Sequence, residues 1–389
     1  MKAAAVICEC NPFHYGHRHV FAEAHKKADC VIAVMSGNFV QRGEAAVFDK
    51  YARARAVLRG GADLVVELPF PWSSASAEFF AQAGVSLASS LRADVLVCGA
   101  SGTDAAPYRK IADELLSEEF RRMFEEMSAG NMGAAVARQQ ALSRLVGEED
   151  AALLARPNDI LATEYAKAIR ELSCSVELCP IRRISAEEVP AFLGASAVRE
   201  ILAEQGFSAV QAYLPPESVA ILQGEWDKGA YAPRESLEQL LFHHLRTCRA
   251  LSDTSDGTDG VLERLKRCAD EAADGADMFV RAATKKYTHA RFRRAALFHM
   301  TDVTREALKQ PPLFTHLLAA SEKGCAYLSQ IRKTAAVQIL TKPSAAESLD
   351  EQSRAQYEKS CEADRLYTLC TQRVRPASEY VKRTPFIQK

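Results

Sequence analysis

Two histidines three residues apart flank a glycine near the start of the chain, in the run His14-Tyr15-Gly16-His17. Imidazoles at that spacing can both point at one phosphate chain. There they would donate hydrogen bonds to oxygens whose charge grows as a phosphoryl or nucleotidyl group is transferred. Gly16 has no side chain, so a ligand can approach the backbone closely at that point. The same four residues also suit two plain surface histidines at a helix start. What surrounds them decides between the two readings.

Before the histidines, Met1 to Cys8 is a short apolar run that reads as a buried strand of a parallel sheet. Asn11-Pro12 is a turn signal, with Pro12 pushing Asn11 out of the helical region. From Arg18 onward Val20, Phe21, Ala24 and Ala28 have helical spacing. The histidines therefore fall between a strand and a helix, where free backbone N–H groups and the positive dipole end favour phosphate. Further strands are predicted at Cys30 to Met35, Ala62 to Leu68, Ala93 to Cys98 and Ser175 to Ile181. Helices are predicted between them, among them 52–59, 76–91, 107–130 and 131–140. The alternation implies an α/β fold with a doubly wound parallel sheet, whose ligands gather at the carboxyl ends of the strands. Glu67 lies inside the apolar run 62–68 and must be paired or functional, because an unpaired buried charge is costly. Arg42, Lys50 and Arg53 suit phosphate or carboxylate partners, or else belong to a solvated loop and helix face.

At 389 residues the chain has room for two domains. Its 48% hydrophobic and 25% charged residues are ordinary for a soluble globular protein, and its net charge of -1 gives no global basicity, so any nucleic-acid surface must come from local clustering. No run is long and apolar enough for a membrane span, and no secretory signal is visible, which predicts a cytoplasmic protein. The 11 cysteines include no Cys-x-x-Cys pair, which argues against a zinc ribbon. Cys8 and Cys98 sit in strand-like runs and read as small core residues, and the odd count suits a reducing compartment.

Beyond Pro215-Pro216 the pattern turns helical, with 236–251 and 261–273 as the clearest stretches. The run from Arg281 to Arg294 holds Lys285, Lys286, Arg291, Arg293 and Arg294 with Tyr287 and Phe292 interleaved and no acid. Such a stripe can bind a phosphate backbone and stack a splayed base, or can simply be a solvated helix end. Residues 342–355 read as a polar loop, 357–369 as a last helix and 373–389 as a basic tail.

The longer run Cys8-Glu9-Cys10-Asn11-Pro12-Phe13-His14-Tyr15-Gly16-His17 resembles the bacterial tRNA(Met) cytidine acetate ligase family, within the HIGH-type nucleotidyltransferase superfamily. The blocks Val34 to Glu44 and Gly61 to Pro69 carry the same resemblance. It implies a Rossmann-like nucleotidyltransferase domain over residues 1–205 and a mostly α-helical tRNA-binding domain over 206–389. It implies an ATP site formed by Ile7-Cys8-Glu9-Cys10-Asn11-Pro12-Phe13-His14-Tyr15-Gly16-His17-Arg18-His19-Val20 together with Gly99, Asn158, Arg183, Ser196 and Arg199. His14 and His17 would be catalytic. Lys285, Lys286, Tyr287, Arg291, Arg293 and Arg294 would contact tRNA. The implied reaction converts ATP and acetate to acetyl-adenylate and passes the acetyl group to the wobble cytidine of elongator tRNA(Met), giving N4-acetylcytidine. Magnesium is expected on the phosphates, with no metal held by the chain.

Three positions depart from the family pattern. Ala100-Ser101 stands where the family usually has Ser-Glu, Gly194 where it has a serine, and His316 where it has a cation. Two other readings stay open on the sequence: a small-molecule nucleotidyltransferase, and a tRNA-binding paralogue that has lost catalysis. Asn158 can also be a plain helix cap.

Overall fold

The computed structural model describes residues 1–129, 134–284 and 286–388. Its centre is an eight-stranded sheet. The strands are β1 (Ala3–Cys8), β2 (Cys30–Ser36), a small separate hairpin of β3 (Phe39–Val40) and β4 (Glu44–Ala45), then β5 (Leu64–Leu68), β6 (Val95–Ala100), β7 (Glu177–Arg182), β8 (Phe314–Ala320), β9 (Gln338–Leu340) and β10 (Phe386–Ile387). The sheet order is β10-β8-β5-β2-β1-β6-β7, with β9 beside β8. The five predicted strands are all present and mutually parallel. All six residues of β1 are buried, as expected of a strand covered on both faces.

The alternation along β1 shows what covers it. Ala4 and Val6 pack with Phe21 and Ala24 of α1 (Tyr15–His25) and Ala54 and Val57 of α2 (Lys50–Arg59). Ala3, Ala5 and Ile7 pack with Phe80 and Leu87 of α3 (Ala77–Ser90) and Ala162 of the helix Pro157–Glu171. Full burial of a side chain such as Leu87 contributes about 1.5–3 kcal/mol. Strands β2 and β5 wind one way from β1, and β6 and β7 the other. The winding reverses between β1 and β6, and the crevice outside their carboxyl ends is where such sheets take ligands.

The sheet does not end with the first half of the chain. β8 pairs antiparallel with β5, Leu64 opposite Ala320, and β10 adds Phe386 beside Ala319. The segment 206–389 is therefore mostly helical but also supplies three strands to the central sheet. Before them, between β7 and β8, run the helices Pro216–Asp227, Arg234–Thr247, Val261–Glu271, Gly275–Ala282 and His289–Met300.

Three further expectations are corrected. The helix expected over 107–130 is two helices, Ala106–Leu116 and Glu118–Ala129. Ser117 between them is extended, and its Oγ accepts from Phe120 N at 3.0 Å, which starts a new helix. The second helical stretch, expected from residue 131, runs over Ala134–Val146, and 131–133 lie outside the described residues. The helix expected over 357–369 starts at Glu351, inside the segment read as loop, because Asp350 Oδ1 accepts from Ser353 N at 2.9 Å, and it is not the last, since the short helix Ala377–Tyr380 follows in the segment read as tail. No described helix is long and apolar enough to cross a membrane.

Glu67 proves to be paired. Lys50 Nζ donates to both its carboxylate oxygens, at 2.9 and 2.8 Å, and to Asp364 Oδ2 at 2.7 Å. His316 Nδ1 stands 2.7 Å from Glu67 Oε2, and Asn38 Nδ2 donates to Asp364 Oδ1 at 2.8 Å. His316, which departs from the family cation, thus joins β8 to β5. Burial alone would push the Glu67 carboxyl up, but Lys50 and His316 outweigh it and hold it down. Lys50 is neither a phosphate partner nor solvated. Nor is Arg53, which is fully buried and donates to the carbonyls of Phe48, Glu9, Ser36 and Gly37.

Candidate active site

The turn after β1 makes His14 the N-cap of α1. Its Nδ1 accepts from Gly16 N at 3.0 Å, and His17 Nδ1 accepts from His14 N at 3.3 Å. This is a reciprocal capping box built from imidazoles, which satisfies two backbone donors. It also fixes the tautomer. A neutral imidazole whose Nδ1 accepts must carry its proton on Nε2. Each ring therefore presents an Nε2–H donor away from the helix, with the two ring centroids 3.9 Å apart. A Cβ at Gly16 would stand 2.7 Å from His14 Cε1, so only glycine leaves the His14 ring in place.

Burial lowers the His14 imidazole to about 3, and the guanidiniums of Arg183 and Arg199 add to that. His17 is also held well below its ordinary value, by burial and then by His14 and the same two arginines. Both rings thus stay neutral donors between about pH 5 and 8, where an ordinary histidine switches. The expected pH profile of kcat/KM for nucleotide activation has no histidine limb in that range. An inflection near 6.5 that His14→Gln removes would contradict this assignment. The sign for stability is the same for both rings. Unfolded, a histidine binds its proton near 6.5 and folded His14 only near 3, so stability present above 6.5 is lost as pH falls through that window.

The two arginines reach the histidines from different elements. Arg183 follows β7, and Gly99 near the end of β6 lets it lie across the sheet edge, since a Cβ there would stand 3.1 Å from Arg183 Cγ. Among the described residues its guanidinium makes no hydrogen bond or ion pair. Arg199 lies in the helix Ala195–Gln205 and donates from Nη1 to Asn11 O at 2.9 Å and from Nη2 to Ser196 Oγ at 3.4 Å. The N-cap of that helix is Gly194, with no side-chain cap, and Ser196 supports Arg199 instead. Asn158 is not the cap of its helix, whose N-cap is Arg156, and its amide makes no hydrogen bond to a described residue.

The rest of the run 7–20 mostly builds the turn. Ile7, Cys8, Cys10 and Phe13 are buried in the core. Tyr15 and His19 pack against Phe192, and Arg18 pairs with Glu217 at 3.6 Å. Glu9 Oε1 accepts from Gln41 N at 2.9 Å, and burial pushes its carboxyl up. The sequence reading missed Asp159. Its Oδ1 accepts from Ser101 N at 2.8 Å and from Tyr108 OH at 2.7 Å, which ties down the loop after Gly99 where the family glutamate is lost. Its only signal was its place beside Asn158.

The basic run divides. Arg291 donates to Asp259 at 2.9 Å, Arg294 grips Asp256 at 2.8 and 3.0 Å, and buried Arg293 holds Glu238 at 3.0 Å. These three cations are committed within the protein. Lys286 is exposed, with its Nζ 4.9 Å from the Tyr287 ring centre, and Lys285 lies outside the described residues. Beside Ser196 and Arg199 a cavity of about 1010 Å³ opens between the helix Ala195–Gln205, the hairpin β3–β4 and the helices Arg234–Thr247 and His289–Met300.

A model of the HIGH nucleotidyl transferase family matches residues 1–381. The tRNA(Met) cytidine acetate ligase of Caldanaerobacter subterraneus subsp. tengcongensis is 32% identical over 383 residues, 95% of each chain. The ligase of the same name from Halalkalibacterium halodurans is 33% identical over 88% of each. Among solved structures, Thermotoga maritima TmcAL bound with alpha-thio ATP superposes with a TM-score of 0.92 at 29% identity, over the whole of both chains.

Proposed function

The chain belongs to the HIGH nucleotidyl transferase family and, within it, to the tRNA(Met) cytidine acetate ligases, and from that membership and its paired imidazoles we propose that it is an ATP-dependent ligase that activates acetate as acetyl-adenylate and acetylates N4 of the wobble cytidine of elongator tRNA(Met). The observation that carries the reading is the pair His14 and His17 at the helix start after β1, each with Nδ1 taken by a backbone N–H and Nε2 left to donate.

An acetate oxygen attacks the α-phosphorus of ATP and pyrophosphate leaves. The chain supplies position and charge rather than a covalent nucleophile. His14 and His17 donate to the phosphate oxygens that gain charge, Arg183 and Arg199 hold the triphosphate with Ser196, and Gly99 and Asn158 border the nucleoside. Among the described residues no group of three or more His, Cys, Asp or Glu side chains gathers to hold a metal, so magnesium would be carried by the phosphates. For tRNA the support is narrower: Lys286 offers exposed charge beside the Tyr287 ring, over which Arg291 also lies at 4.3 Å, while Arg291, Arg293 and Arg294 shape the helix behind them. Residues 1–205 with the returning strands serve the nucleotide, and the helices of 206–300 serve the RNA.

The test is exchange of labelled pyrophosphate into ATP by the purified protein, with and without acetate and with bulk tRNA added. Acetate-dependent exchange is the expected result. No exchange under any of these conditions overturns the reading.

A further inference from the structure

The cavity behind Arg199 joins two places that the reaction must connect. At one end it shares Ser196 and Arg199 with the phosphate crevice. At the other it is lined by Thr288, His289 and Ala290, which follow directly on Lys286 and Tyr287. Its 1010 Å³ stands at the top of the range of about 300–1,000 Å³ that small-ligand pockets span, enough for a base with its ribose and a flanking phosphate.

Glu44 stands between the two ends. Its Oε2 is 3.8 Å from Arg199 Nη2 and its Oε1 is 3.7 Å from Arg293 Nη1. Both are charge contacts beyond hydrogen-bond reach, and no described residue donates a hydrogen bond to this carboxylate, whose side chain is only 17% exposed. Its oxygens keep contact with the solvent of the cavity, where an incoming group can reach them. Gly43 beside it, at φ +70, fits its backbone against that of Arg293 and Arg294, which fixes Glu44 in the wall. Trp226 and Tyr231, stacked with ring centres 3.8 Å apart, add an aromatic surface to the same cavity. Arg42 and Arg234 are exposed at its lining; Arg234 donates to Glu238 at 3.0 Å, so Arg42 is the cation that suits a phosphate flanking a base.

We propose that this cavity receives the acceptor nucleoside, a pyrimidine with an exocyclic amine turned out of its RNA, and that Glu44 takes the proton from that amine. The inference rests on the acyl-transfer reading above. A base inside a stacked loop cannot reach an acyl group held in a crevice, so it must leave the stack. The amine lone pair forms the new C–N bond to the acyl carbon. The bond from that carbon to the adenylate oxygen breaks, and its electron pair leaves on AMP. The amine proton passes to Glu44 and from there to solvent.

The test is Glu44→Gln in the full chain, with two readouts. Acetate-dependent pyrophosphate exchange should stay within about threefold of wild type, while acetyl transfer to a short RNA hairpin carrying one loop cytidine should fall about a hundredfold or more. Transfer at the wild-type rate overturns the proposal, and so does a parallel loss of exchange, which would tie Glu44 to the nucleotide. A second measurement needs no variant. Trp72 is buried, so quenching of protein fluorescence by the cytidine hairpin reports Trp226. The expected result is quenching by the hairpin, and its absence at saturating hairpin overturns the location. Wild-type protein without acetate-dependent exchange fails the parent reading and takes this one with it. Failure of the cavity alone leaves exchange intact.

Discussion

His17→Ala is expected to lower acetate-dependent pyrophosphate exchange about a hundredfold or more while leaving tRNA binding unchanged. The loss follows from the donor that disappears. His17 presents an Nε2–H to a phosphate whose charge grows in the transition state, and removing one such preorganised donor costs about 2.7–4 kcal/mol of barrier. The substitution also removes the acceptor for His14 N, since His17 Nδ1 closes the capping box at 3.3 Å. That cap is worth about 0.5–2 kcal/mol of stability. His17→Glu separates the two effects, because an ionised glutamate at this position can still accept from the N-cap backbone but has no hydrogen to donate. Melting should recover in His17→Glu while exchange does not. Exchange near the wild-type rate in His17→Ala would remove His17 from the chemistry.

Lys50→Met is expected to destabilise the fold by about 3–5 kcal/mol, the usual loss when one partner of a buried ion pair is removed. Lys50 is fully buried and compensates Glu67 and Asp364 together. Without it two carboxylates share a pocket in which burial already pushes Asp364 up. The triple variant Lys50→Met, Glu67→Gln, Asp364→Asn should recover a large part of the loss, since no uncompensated charge then remains. Denaturant unfolding of the three proteins checks this. A loss below about 1 kcal/mol in Lys50→Met, the range of exposed pairs, would contradict the geometry.

The strand, turn and helix around His14 were legible in the sequence because each depends on local signals. Six apolar residues, an Asn-Pro turn and a helical repeat specify them without help from distant parts of the chain. The paired state of Glu67 was half legible: a carboxylate in an apolar run demands a partner, but only Lys50 is close in sequence, while His316 and the Asp364 that shares Lys50 lie near the other end of the chain. The strand Phe314–Ala320 was missed for the same reason, since its place is set by the exposed edge of β5. The basic run was legible as charge but not as pairing. Residues 291, 293 and 294 look uncompensated in a row, yet Asp259, Asp256 and Glu238 approach them from other segments. Local composition reports which charges are present, and tertiary structure decides which remain free for a ligand.

The return of the chain to its first sheet bears on how the protein is made. During synthesis β5 leaves the ribosome long before β8, its antiparallel neighbour, and until then the edge of the sheet offers unpaired N–H and C=O groups. Lys50 and Glu67 wait longer still for Asp364. A fragment ending near residue 205 therefore carries the histidines and yet has an open, adhesive edge and an unfinished buried charge cluster. Expressed alone it should aggregate, and the nascent half-chain is the form of this protein most in need of a chaperone.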